Sequence, residues 1–173
     1  MAEREHIADS LRHMEWADAR MWGSVLRTPA AGADDRLKTL LHHVHLVQYI
    51  YLALWREVMP QLTGAKSFAD LDAVQEWARP FYKQAAAVIA GLDDRALERR
   101  VTFPWADQIE KQLGACQPVS VRDSLTQIFI HTAYHRGQVA TRVRELGGEP
   151  SLTDFIAWAW TGRPTPDWER GRD

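Results

Sequence analysis

The sequence is poor in cysteine, in unbroken apolar runs and in charge of one sign. With Cys116 as its only cysteine, it cannot form a disulfide within the chain, which suits a reducing compartment. No apolar stretch approaches the ~20 residues of a membrane-spanning helix. The opening MAEREHIADS is charged and lacks the apolar core of a signal peptide, so a cytoplasmic protein is expected. Lysine and arginine total 21 against 23 acidic residues, a formal charge of −2. Such a balance creates no field to draw nucleic acid or an anionic membrane, and neither is expected as a partner. Internal repeats and low-complexity tracts are also lacking. A length of 173 residues predicts a single domain spanning 1–173.

Tryptophan and histidine are abundant, with eight and seven residues. Trp22, Trp55, Trp158 and Trp160 lie in or beside apolar helical patterns and are expected in the core or an interface. The pattern is helical nearly throughout. Ile7, Leu11, Met14, Met21 and Val25 follow the three–four spacing of a bundle seam and predict a helix over 3–26. A second helix is expected over 35–58, with Leu40, Val44, Val47, Tyr51, Leu54 and Val58 as its seam. A third, over 70–92, should be kinked or divided at Pro80. From Asp93 to Pro118 the helical period fails, which predicts a long crossover with a small hairpin near VTF. Ser120 or its neighbour opens a fourth helix reaching Leu146, with Gly147 as the residue just past its end. A short fifth helix follows Thr153, and the tail reads as irregular. The fold class expected is all-α: a four-helix bundle with a long crossover between the third and fourth helices and a short C-terminal helix.

On the fourth helix, His131 and His135 in HTAYHRGQ stand one turn apart, so their imidazoles share a face. That face also carries Ser124, Gln127, Gln138 and Arg142, about 100° from the apolar stripe at 100° per residue. Two neutral imidazoles can chelate zinc, nickel or a similar ion, although HxxxH also occurs in helices that bind nothing. The second helix offers His42, His43 and His45 in LLHHVHL. With the seam centred on Leu40 and Val58, His43 lies about 60° away, His45 about 140° and His42 about 160°. Only His43 is then expected to face the bundle interior, with His42 and His45 on the solvated surface.

Asp18 falls on the first helix's seam between Met14 and Met21. A carboxylate buried there alone would cost several kcal/mol, so it needs a partner. Arg136, on the apolar side of the fourth helix, supplies one. The alternative is that Asp18 accepts a hydrogen bond from a ligand imidazole. Gly137, inside a helix, suggests a close approach between helices.

Taken together these stretches resemble the DinB/YfiT-like family over nearly the whole length. HMEWADARMW resembles the family's first-helix motif, and TLLHHVHLVQYIYL its second-helix histidine motif. HTAYHRGQ matches its HxxxHRGQ motif, and GEPSLTDFIAWAW resembles its ending. Aligning Leu41, Val44, Leu46 and Tyr51 puts the family's histidine at His43. The resemblance implies a four-helix bundle, often a homodimer, with a divalent metal on His43, His131 and His135. It also implies, from some relatives, a metal-dependent transfer of a low-molecular-weight thiol (bacillithiol, mycothiol or glutathione) to an electrophile. Asp18 stands where the family usually has Asn.

Three neutral ligands would leave an open position on the metal, the arrangement of a catalytic site. A thiol or a water there would lose its proton at neutral pH, so thiol transfer to a small electrophile and hydrolysis of a small substrate are both open. A non-enzymatic metal-binding stress or interaction module is a third reading. Thr132 follows His131 where a metalloprotease HExxH would have glutamate, which disfavours peptide hydrolysis. Cys116, in the crossover, is expected to be partly buried and inert. Asp18, Arg136 and Gln138 are expected beside the site, and Trp105 either lines the pocket entrance or simply covers the bundle end.

Overall fold

Apolar residues at helical spacing give the long segments one sticky face each, and burying those faces against one another sets the architecture. In the computed structural model, which describes residues 2–103 and 105–169, the chain forms α1 (Ala2–Leu26), α2 (Asp35–Trp55), α3 (Leu71–Ala78) and α4 (Pro80–Ala90). After these come α5 (Asp94–Glu98), β1 (Arg100–Val101), α6 (Ala106–Leu113), β2 (Val119–Ser120), α7 (Val121–Glu145) and α8 (Phe155–Trp160). Among the described residues, no helix is long and apolar enough to cross a membrane.

The bundle is a ring in which α1 packs on α7, α7 on α2, α2 on α4, and α4 back on α1. Thus α1 and α2 face each other across one diagonal, and α4 and α7 across the other. The centre is filled by Leu11, Met14, Trp22, Leu41, Phe81, Ile128 and Val139, all buried. Pro80 divides the expected third helix. Its ring cannot donate to a preceding carbonyl, so α3 stops at Ala78 and α4 restarts with proline in its first turn.

Three boundaries differ from expectation. α2 ends at Trp55 and not at Val58, because Glu57 adopts a left-handed backbone (φ 57°), leaving Val58 56 % exposed. The crossover holds two short helices, α5 and α6, besides the β1–β2 antiparallel pair (Arg100↔Ser120, Val101↔Val119). α6 carries Ala106, Ile109 and Leu113 at helical spacing but buries none of its side chains. α8 begins after Asp154, one residue beyond the expected cap at Thr153.

Ser120 opens α7 through a reciprocal capping box: its hydroxyl accepts from the Asp123 N–H while the Asp123 carboxylate accepts from the Ser120 N–H. At the other end Gly147 takes φ 81°. Gly148 presses on Thr28 so closely that a Cβ would sit 2.0 Å from its hydroxyl oxygen. The close approach expected at Gly137 is absent: nothing lies within 4 Å of its Cβ direction, and its backbone faces solvent. Of the four tryptophans expected in the core or an interface, Trp22, Trp55 and Trp158 are buried in the core and Trp160 is 81 % exposed. The tail instead buries Trp168, which packs against Tyr82 with ring centroids 5.7 Å apart. Cys116, expected to be partly buried, is exposed.

Candidate metal centre

α2 and α7 run side by side, and their shared outer seam carries the histidines. His43 comes from the middle of α2; His131 and His135 come from consecutive turns of α7. A ring nitrogen from each lies within 4.8 Å of the other two. The ring centroids of His131 and His135 are 4.3 Å apart, and His43 lies 4.7 Å from His135 and 5.5 Å from His131.

The donor set fits a divalent ion. The Nε2 atoms of His131 and His135 are 3.1 Å apart. Two nitrogens each about 2.05 Å from one ion would be about 2.9 Å apart at a right angle and about 3.3 Å apart at the tetrahedral angle. His135 Nδ1 lies 2.7 Å from Gln138 Oε1, which can only accept, so Nδ1 carries the proton and the Nε2 lone pair faces the cluster. His131 Nδ1 is buried with no hydrogen-bond partner among the described residues, so no such bond holds its tautomer.

Desolvation and the neighbouring imidazoles hold His131 down at about 4. His43 is also lowered, by desolvation first and then by His135. Both rings therefore stay neutral at physiological pH, the form that ligates a metal.

The second-helix histidines are placed otherwise than the wheel expected. His43 is exposed in the groove, while His42 is 6 % and His45 0 % exposed. The error lay in centring the seam on Leu40 and Val58. α2 touches α7, α4 and α3, so it is buried on most of its circumference. Its deepest line runs through Leu37, Leu41, Val44, Gln48 and Leu52. His42 stacks on Trp77 and its Nε2 meets the Thr63 carbonyl at 2.7 Å. His43 thus sits at the open edge, where a ligand can be reached from solvent.

Behind the histidine face, each helix of the ring sends a polar side chain to the centre. Asp18 (α1) is fully buried. Its Oδ1 accepts from Arg136 Nη1 (α7) at 2.7 Å, and its Oδ2 accepts from Gln48 Nε2 (α2) at 2.9 Å and from the Tyr82 hydroxyl (α4). The chain of bonds continues outward. Trp22 Nε1 donates to His45 Nε2 at 2.9 Å, so the His45 proton is on Nδ1, which donates to Gln48 Oε1 at 2.8 Å. That bond fixes the Gln48 amide with its nitrogen toward Asp18. Burial keeps His45 below the ordinary imidazole value and pushes the Tyr82 phenol well up, with the Asp18 charge adding to the latter.

Asp18 and Arg136 therefore pair with each other, and neither touches a ligand ring. The sequence reading missed Gln48, Tyr82 and His45. Gln48 carried the signal that exposed Asp18, a polar residue on a seam, four positions after Val44.

The groove runs along the α2–α7 seam beside His43. Toward the start of α2 it opens into a space of about 690 Å³ bordered by Asp35, Arg36, His43, Gln138, Arg142 and Glu145. Its floor is tied down by Arg142, whose Nε donates to Asp34 Oδ1 at 3.1 Å and whose Nη2 reaches Oδ2. Asp34 also caps α2 through the Leu37 N–H, and the Arg142 guanidinium holds its carboxyl below the usual range. Toward the crossover lies a smaller hollow of about 280 Å³, lined by Tyr51, Phe103, Trp105 and Gln127. Trp105 stacks on Phe103 at 5.2 Å and lies 6.0 Å from Tyr51, so it is packed and also borders open space.

No curated protein matches the chain in sequence. The model of the DinB family matches residues 4–169 of the 173. With that match spanning nearly the whole bundle and its histidine face, the chain belongs to the DinB family.

Proposed function

We propose that this protein is a divalent-metal-dependent transferase that activates a low-molecular-weight thiol for attack on a small electrophile. The observation that carries the reading is the donor set: three imidazoles, converging within 4.8 Å at the open edge of a groove. A divalent ion on three uncharged ligands keeps its positive charge and lowers the pKa of a thiol that meets it. The chain's own residues hold the geometry. Gln138 orients His135, and the Asp18 network fixes the rotation of α7 so that His131 and His135 turn toward His43. The aromatic hollow at Tyr51, Phe103 and Trp105 offers an apolar bed that excludes water from an electrophile. In the transfer, the thiol's proton passes to solvent and its sulfur pair forms the new C–S bond. The leaving group departs with the electrons of the bond it breaks.

Hydrolysis of a small substrate is the second reading and would use the same open position on the ion, with acidified water in place of the thiol. The test is conjugation of a thiol to monochlorobimane by purified protein, with and without added zinc or nickel. Metal-dependent product formation that disappears in His131→Ala is expected. If no thiol gives conjugate with either metal, the transferase reading falls.

A further inference from the structure

We infer that the charged half of the groove is a subsite for a zwitterionic thiol, one whose body carries both a carboxylate and an ammonium, with Arg36 taking the carboxylate and Asp35 the ammonium. The inference rests on the thiol reading above and adds where and how the thiol's body is held.

Four charged side chains border this half: Asp35 and Glu145 against Arg36 and Arg142. The signs cancel, so the space favours neither a polyanion nor a polycation. Two of the four are already engaged, because Arg142 is held by Asp34 and also bonds Glu145 at 2.7 Å. Among the described residues, the Arg36 guanidinium and the Asp35 carboxylate have no hydrogen-bond or ion-pair partner. They are adjacent in the first turn of α2, both exposed, and both border the groove. A cation and an anion side by side, fixed by a capped and cross-tied helix start, match the two charges of an amino-acid-like group.

The distance also fits. Arg36 precedes His43 by seven residues, so their Cα atoms are about 10 Å apart along α2. An extended tripeptide spans about 10 Å, so a thiol at the histidines can place its charged end beside Arg36. The separate hollow toward the crossover offers no such grip. Among the described residues that line it there is no cation, and the carboxylate there, Asp123, is occupied in capping α7. An apolar electrophile belongs there, and the two substrates then approach the histidines from opposite sides.

Calorimetric titration of zinc-loaded protein tests this with glutathione, S-methylglutathione (the same charges without a free thiol) and 2-mercaptoethanol (a thiol without charges). Glutathione should bind at least about tenfold more tightly than 2-mercaptoethanol. Arg36→Ala and Asp35→Ala should each erase most of that advantage and leave 2-mercaptoethanol unchanged. S-methylglutathione should bind weakly to the wild type and lose that binding in Arg36→Ala. Equal binding of glutathione and 2-mercaptoethanol, insensitive to Arg36→Ala, overturns the subsite and leaves the thiol reading standing. Binding of S-methylglutathione that responds to Arg36→Ala, with no gain from a free thiol, keeps the subsite and removes the thiol reading. If none of the three binds, both fall.

Discussion

Replacing Asp18 tests the core network most sharply, because its three acceptor bonds serve three other helices. Asp18→Ala strands the Arg136 guanidinium, 6 % exposed, with no counter-charge. Breaking a buried pair from one side costs about 3–5 kcal/mol. The Tyr82 hydroxyl and the Gln48 amide also lose their acceptor, so the upper end, about 5 kcal/mol, is expected. For a domain of this size that is a fall in Tm of about 10–20 °C. Asp18→Asn, which installs the residue usual in the family, keeps the shape but turns one acceptor into a donor. With its oxygen toward Arg136, its NH2 meets the Gln48 NH2. Gln48 cannot flip in response, because its oxygen is held by His45 Nδ1–H, and that proton's position is dictated by Trp22. Asp18→Asn should therefore cost about 2–3 kcal/mol. Urea unfolding followed by tryptophan fluorescence measures both variants, and a double-mutant cycle of Asp18→Ala with Arg136→Met isolates the pair. A coupling of about 2–3 kcal/mol is expected, since the double variant removes the stranded charge. Strictly additive losses would refute the argument, as would an Asp18→Asn variant as stable as the wild type.

Three further outcomes can be checked directly. Purified protein should hold about one divalent ion per chain by elemental analysis. His43→Ala should lower that occupancy and His6→Ala, on the exposed start of α1, should not; full occupancy without His43 would remove it from the ligand set. The metal-free protein should lose stability on acidification. His45, His43 and His131 are all held below the ordinary imidazole value of 6.5, so their contribution is present above pH 6.5 and is lost as pH falls toward the His131 value of about 4. Urea midpoints at pH 7.5 and 5 measure this, and equal midpoints would count against it. Trp105→Ala, truncating a half-buried ring stacked on Phe103, should cost about 1–2 kcal/mol, less than for a fully buried tryptophan. It should raise the KM for an apolar electrophile with metal content unchanged; a large Tm drop with KM unaltered would mean that the ring only packs.

The long helices were legible because their apolar period is a property of each segment alone. The pair Asp18–Arg136 was legible for a related reason: a charge on an otherwise apolar seam must be answered somewhere. His42 and His45 were misplaced because a wheel has one centre, whereas α2 is enclosed by three neighbours and has no single buried face. The sequence offers no measure of how many helices surround a given one. Trp168 was missed because its burial depends on a tail folding back onto Tyr82, a contact between positions far apart in the chain with no local pattern. α6 was missed although Ala106, Ile109 and Leu113 stand at helical spacing, because the segment is short and lies between Pro104 and Gly114, which read as loop.

The alternation of roles along α7 has a consequence for engineering. His131 and His135 face the groove, while Thr132 and Arg136, each one residue later, are buried at the bundle centre. Two consecutive turns therefore serve two masters through neighbouring positions that point apart. The rotation of α7 is set by its inner side and by the Arg142–Asp34 tie, neither of which uses residues 43, 131 or 135, so these can be exchanged without disturbing it. A designer could install carboxylates or thiolates at these three places to suit another metal, and inherit a rigid, pre-aimed tripod from a scaffold that does not depend on the ligands it displays.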